Sequence, residues 1–257
     1  MAQQPINDAY ILKSLYSALQ ILDILHDNEE MGVSEISKLM HQGKANTFRA
    51  LYTLQAAGYV DKTKDSRYRL SLKFANYGSV VISRIDVLNV ARPHLKALSE
   101  QFGQATHYAV LDDRGFITFL CRETPNPFFQ SASHAGYQME AYCSANGKML
   151  LSLLDDSKIL AIAQNYHYRK YTSTTITDTD SLLREITKIR EQGYAEDLEE
   201  SEIGLRCISV PLFSLGGKSV GSISFSGSAN HIEKHKDQIL GALLQTASTI
   251  SAELGYK

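Results

Sequence analysis

VSEISKLMHQGKANTFRALYTLQAAGYVDKTKDSRYRL, residues 33–70, reads as two short helices, a glycine-containing turn and a basic hairpin, in that order. Val33, Ile36, Leu39 and Met40 fall at helical spacing, Ser34 is placed to cap this helix, and His41-Gln42-Gly43 interrupts it. A second helix starts near Lys44. Phe48, Leu51, Leu54 and Ala57 are predicted on its inner face, with Lys44, Asn46, Thr47, Arg49 and Thr53 facing outward. Gly58 ends it, and Tyr59-Val60 and Tyr68-Arg69-Leu70 flank the polar turn Lys62 to Arg67, which predicts two strands and a wing. That order is the layout of a winged helix-turn-helix, whose outward donors and acceptors suit a groove of double-stranded DNA.

Charge is distributed to match. The whole chain carries a formal charge of -2, yet residues 38–73 hold eight basic side chains against two acidic ones, while residues 91–257 hold 16 Lys and Arg against 19 Asp and Glu. A compact positive segment on a mildly acidic body fits phosphate contacts confined to one module. At 257 residues and 44% hydrophobic content, the chain has room for two domains. No apolar run approaches the ~18 residues of a membrane span, and the polar start MAQQPINDAY is no signal peptide, so a cytoplasmic protein with no membrane partner is expected. Cys121, Cys143 and Cys207 show no CxxC spacing; reduced thiols are expected, with neither disulfides nor a structural zinc site.

Working outward, Tyr10 to Leu25 places Leu12, Leu15, Leu19, Leu22 and Leu25 or Ile24 on a helix expected to pack under the other two. Residues 71–84 continue as a connecting helix, and the domain boundary falls near Ile85 to Val90. Beyond it come a helix Val87 to Phe102 containing Pro93, strands at Ala105 to Leu111 and Phe116 to Arg122, and a helix Thr177 to Gln192 capped by Asp178 or Asp180 and stopped by Gly193. Strands at Arg206 to Phe213 and Ser219 to Ser226, and a closing helix Ile232 to Leu254, follow. Hairpins interleaved with helices predict an α+β fold with an antiparallel sheet flanked by helices. The domains are therefore set at 1–70, a linker helix at 71–86, and 87–257.

Three segments carry a resemblance to a known family: GKANTFRALYTLQAAGYV at 43–60 with YRLSLKFANYG at 68–78, YCSANGKMLL at 142–151, and GYAEDLEESEIGLRCISVPLF at 193–213 with SISFSG at 222–227. With ISAELG near the end, the chain resembles the isocitrate lyase regulator (IclR) family of bacterial transcription factors over nearly its whole length. The resemblance implies an N-terminal winged helix-turn-helix, a linker helix, a C-terminal effector-binding domain related to GAF and profilin-like folds, no cofactor, and homodimers or homotetramers. It departs at Lys44-Ala45-Asn46, where the family has Lys-Ser-Thr, although Arg49 matches; an asparagine can pair bidentately with adenine. Arg49, Asn46 and Thr47 are the candidates for base or adjacent backbone contacts, and Lys44, Lys62, Lys64 and Arg67 for phosphates.

By matching motifs, the family's effector pocket falls on Ala145, Asn146, Asp197, Cys207, Ser224 and Ser226. Asn146 stands where the family has an apolar or small residue, which hints at a polar ligand. Gly147 is read as freeing the loop, and the N–H groups of the helix start as attracting a carboxylate. Ser224 and Ser226, two apart on a strand, are expected to point the same way. The resemblance is to members answering to sugar acids, so a carboxylated sugar breakdown product is the expected ligand, with aromatic and small keto acids as alternatives.

Enzymatic readings are weaker. Gly216-Gly217-Lys218-Ser219 imitates the end of a phosphate-binding loop, but Leu212 stands where its first glycine belongs. His231 and His235 lack the HExxH order and a third ligand, and Cys143 or Cys207 with His107 or His134 has no local signature of a thiol nucleophile. The remaining alternative is a ligand-sensing module whose winged domain binds a protein. The sequence predicts a DNA-binding regulator and no enzyme.

Overall fold

The computed structural model describes residues 10–83, 86–125 and 133–256. The polar N-terminal stretch 1–9, and residues 84–85 within the expected linker, lie outside these. The chain divides into two compact units, residues 1–81 and 82–257, and each is described by itself.

The first unit holds α1 (Lys13–His26), α2 (Val33–Leu39), α3 (Lys44–Ala56), a hairpin of β1 (Val60–Lys62) and β2 (Tyr68–Leu70), and α4 (Lys73–Ser83). Ile21, Leu25, Ile36, Leu51, Leu54, Val60 and Tyr68 form its core. The strands pair antiparallel, with Asp61 opposite Arg69, and Met31 adds a bridge to Tyr68. The Lys73 ammonium donates to Ala57 O at 2.8 Å, satisfying a carbonyl at the end of α3. It also lies 4.1 Å from the centre of the Tyr59 ring.

Three local expectations are corrected here. Ser34 does not cap α2: the cap position is Gly32, whose N–H donates to Glu35 Oε2 at 2.7 Å, so the reach-back of a carboxylate replaces a hydroxyl cap. The face of α3 is also rotated from its predicted setting. Thr47 is fully buried with Leu51 and Leu54, whereas Phe48 and Ala57 are exposed. A threonine is small enough for that inward place, and its hydroxyl donates to Gly43 O at 3.5 Å. In α1, finally, Ile21 and Leu25 enter the core while Leu15 and Leu19, with the preceding Leu12, remain exposed.

The second unit is built on an antiparallel sheet, six-stranded among the described residues, in the order β5-β4-β3-β8-β7-β6. Its strands are β3 (Ala105–Leu111), β4 (Phe116–Glu123), β5 (Gln138–Glu140), β6 (Ala195–Leu198), β7 (Leu205–Ser214) and β8 (Lys218–Ser228). Helices are α5 (Asp86–Phe102), α6 (Ala145–Ser152), α7 (Asp156–Ala163), α8 (Thr179–Gln192) and α9 (Ala229–Glu253). Asp178 caps α8 through Ser181 N–H, and left-handed Gly193 stops it, as expected.

Strand alternation splits the sheet into two chemistries. Tyr108, Ile208, Val210, Ile223 and Phe225 belong to the core shared with α5 and α9. Ala109, Ile117 and Phe119 belong to the core shared with α6, α7 and α8. Interleaved on that second face is a polar band, for Ser224 pairs across the sheet with Ser209 and His107, and His107 with Arg122. Gly147 sits inside α6 rather than in a loop. A Cβ there would collide with the Ala141 backbone, so its role is close approach of α6 to the 3-10 turn Ala141–Cys143.

Candidate functional site

A cavity of about 720 Å³ opens where the N-terminal turn of α6 meets one end of the polar band. Ala145, Asn146, Asp197, Cys207 and Ser226 line it, together with His107, Arg122, Tyr137, Glu140 and Tyr171. Ser224 does not. It is buried, with its hydroxyl lacking a hydrogen-bond partner among the described residues. Along this strand Ser222 is held by Asn146 of α6, and it is Ser226 and Ser228 that reach the cavity.

Two of the expected contact residues turn inward to hold the wall. Asn146 donates from Nδ2 to Ser222 O and Oγ at 3.2 and 2.9 Å, so its amide N–H groups pin α6 to β8 instead of entering the cavity. Asp197 accepts from Glu200 N–H and from Ser201 Oγ, both at 2.7 Å. Its carboxylate thereby shapes the β6–β7 loop, of which Ser201, Glu202, Ile203 and Gly204 line the cavity. Burial pushes the Asp197 carboxyl up, against the pull of the Ser201 hydrogen bond and the Lys148 charge. Lys148 is itself buried and pairs with Glu200 on the same loop.

His107, Arg122 and the Glu140–Tyr171 pair were not singled out as ligand contacts by the sequence. Strand alternation puts His107 on one face of β3, but its register opposite Ser224 and Arg122 is set by tertiary pairing. His107 Nε2 is 2.9 Å from Ser133 Oγ, its Nδ1 3.5 Å from Ser226 Oγ, and Ser226 in turn donates to Cys207 Sγ at 3.0 Å. Burial and then the Arg122 charge pull His107 down to about 3, leaving it neutral. Burial drives the Cys207 thiol up. Tyr171 donates to Glu140 Oε2 at 3.2 Å across the cavity wall.

On the first unit, Lys44, Asn46 and Arg49 are exposed on α3, and Lys62 and Lys64 on the wing. Arg49 donates from its guanidinium to Asn46 Oδ1 at 2.6 Å, which joins the two candidate base readers. Thr47 is withdrawn by its burial. Arg67 is drawn into the fold as well, with Nε 3.2 Å from Glu30 Oε1 and Nη2 3.0 Å from Glu35 Oε2, so it fastens the wing to the start of α2.

Both units match family models. The IclR helix-turn-helix domain covers residues 14–64, and the bacterial transcriptional regulator IclR C-terminal domain covers residues 79–252. The chain belongs to the IclR family. Among relatives of this IclR regulator, the HTH-type transcriptional regulator XynR of Escherichia coli is 31% identical over 249 residues, 96% of this chain and 98% of XynR. KdgR of the same organism, also an HTH-type transcriptional regulator, is 32% identical over 95% of this chain and 94% of its own. The crystal structure of Thermotoga maritima IclR is similar at a TM-score of 0.73 and 30% identity, covering 96% of this chain and 100% of that one. This IclR regulator is thus a DNA-binding transcription factor with a C-terminal effector-binding domain, and no described helix is long and apolar enough to cross a membrane.

Proposed function

We propose that this chain is a cytoplasmic repressor, without enzymatic activity, whose grip on a promoter is set by a small carboxylated metabolite, a sugar acid. Residues 1–70 bind DNA, 71–86 link, and 87–257 bind effector and assemble the oligomer. The observation that carries this reading is the cavity's mixed chemistry. Ala145 and Asn146 put the N-terminal, positive end of α6 at the cavity wall, and Arg122 brings a guanidinium, both suited to a carboxylate. Ser226, Tyr171 and Glu140 supply partners for ligand hydroxyls. A thiol-enzyme reading finds no support, because burial shifts Cys207 and His107 away from an ion pair rather than toward one.

Lys44, Lys62 and Lys64 contact phosphates in this reading, and Asn46 and Arg49 contact bases. The exposed Leu12, Leu15 and Leu19, at the start of α1 and within it, support self-association, and two-fold dimers call for a near-palindromic operator. The test is fluorescence anisotropy of the protein on its upstream intergenic DNA, titrated with aldonic acids, the matching neutral alditols and benzoates. Release by aldonates alone is expected. Release by benzoates alone, or indifference to every carboxylate, overturns the ligand class.

A further inference from the structure

The outer face of α3 carries two parallel stripes, and only one of them is polar. Successive helical residues turn by about 100°, so Thr47, Leu51 and Leu54 form the buried stripe, Asn46, Arg49 and Thr53 a second, and Ala45, Phe48 and Tyr52 a third. The second and third stripe centres lie roughly 100° apart, and each stands about 130° from the buried one. The outward surface of α3 is therefore half hydrogen-bonding and half apolar. Phe48 is 47% exposed and Tyr52 63% exposed, with ring centres 6.3 Å apart, so the two rings form a continuous apolar ledge beside the Asn46–Arg49 pair.

Two adjacent aromatic rings on the solvent side of a helix forgo the hydrophobic contribution that burial gives, so a partner that covers them gains it. The surroundings identify that partner. The ledge is continuous with the Asn46–Arg49 pair and lies within the segment of eight basic and two acidic side chains, which is complementary to a polyanion. The apolar feature that a polyanionic duplex displays in its major groove is the 5-methyl group of thymine, whereas guanine and adenine there display hydrogen-bonding edges. We propose that α3 reads its operator with both stripes, Arg49 and Asn46 on purine edges and the Ala45–Phe48–Tyr52 ledge on thymine methyls. The operator half-site then contains thymine beside the purine read by Arg49. This rests on the reading that α3 enters the major groove.

The experiment replaces each thymine of the footprinted operator in turn by deoxyuridine, which keeps every hydrogen bond and removes only the methyl. The full-length protein is titrated by anisotropy. At one or two positions in each half-site the affinity falls about fourfold, the value of one buried carbon group. Phe48→Ala binds the natural duplex weakly and is indifferent to deoxyuridine at those positions, while Phe48→Leu retains sensitivity. Thermal melting checks that both variants fold, as a half-exposed side chain allows. Methyl sensitivity that persists in Phe48→Ala overturns the proposal, as does a wild-type protein indifferent to every substitution while Arg49→Ala still abolishes binding. A change of oligomeric state in Phe48→Ala with no methyl effect overturns it too, in favour of a second copy as the ledge's occupant. If Arg49→Ala leaves operator binding intact, the underlying placement of α3 fails instead.

Discussion

Lys148 shows how a single buried charge shapes the pocket from outside it. Its ammonium is shut away from solvent against Glu200, with Glu185 at 4.0 Å, and Glu200 sits on the loop that Asp197 organises. Burial pushes the Glu200 carboxyl up and the Lys148 charge pulls it back only in part. Removing the cation alone leaves an uncompensated carboxylate in the interior, so Lys148→Met is expected to cost about 3 to 5 kcal/mol in urea unfolding at neutral pH. The double variant Lys148→Met/Glu200→Leu should recover most of that, since an apolar pair of similar volume is often neutral. Acidification should also rescue the single variant, because Glu200 then becomes neutral. His107 gives a separate signal: its value falls from 6.5 to about 3 on folding, so between those values the unfolded chain binds more protons. Stability from this group is full above about pH 6.5 and is lost as pH falls, at up to about 1.4 kcal/mol per pH unit. Asp197 and Glu200, whose carboxyls are raised, contribute the opposite slope. Subtracting the curve of His107→Gln from wild type isolates the histidine, and a difference curve flat from pH 6.5 to 4 would sink the assignment.

At the scale of elements, the wing separates two kinds of basic residue that look alike in the sequence. Lys64 is exposed at the hairpin tip, whereas Arg67 pairs with Glu30 and Glu35 and donates to Glu30 O at 3.0 Å. A phosphate contact shows itself in the salt dependence of affinity. Lys64→Ala should lower the slope of log affinity against log salt by about 0.9, and Arg67→Ala should leave the slope unchanged while lowering the melting temperature. The stability loss should not exceed about 1 kcal/mol, because these pairs are partly solvated. Equal slope changes in both variants would restore Arg67 to the DNA surface. Why the sequence misled here is physical. Order of elements follows from apolar spacing and glycine stops, and α3, the hairpin, α8 and its caps were legible from those. The facing of α3 was not, because Phe48 scores as a core residue and Thr47 as a surface one, and only packing decides which enters. In the pocket, five residues named by motif matching, Ala145, Asn146, Asp197, Cys207 and Ser226, line the cavity. Ser224 falls outside the lining because alternation gives the face of a strand, not how far along it a cavity extends. His107 and Arg122 stayed hidden because cross-strand register is not written in either strand alone.

For the whole molecule the question is how occupancy of a cavity built entirely from residues 103–228 alters binding by α3, which ends at Ala56. A ligand can shift the DNA equilibrium only by its differential affinity for the DNA-bound and free arrangements, and that coupling is reciprocal: DNA must change effector affinity by the same factor. The chain between the two units runs through α4 and the residues after Ser83. If this segment transmits the change, inserting Gly-Ser-Gly-Ser after Ser83 should break the link without breaking either site. Operator affinity of a bivalent dimer falls when its reading heads are loosened, so absolute affinity is the wrong readout. The informative quantity is the ratio of operator affinities with and without effector, expected at roughly 5 to 150 for the unaltered chain and near 1 after insertion. Effector affinity measured by calorimetry with and without operator must give the same two ratios. An insertion variant that keeps its full ratio places transmission in the assembly of effector-binding units instead, and the linker then serves only as a tether.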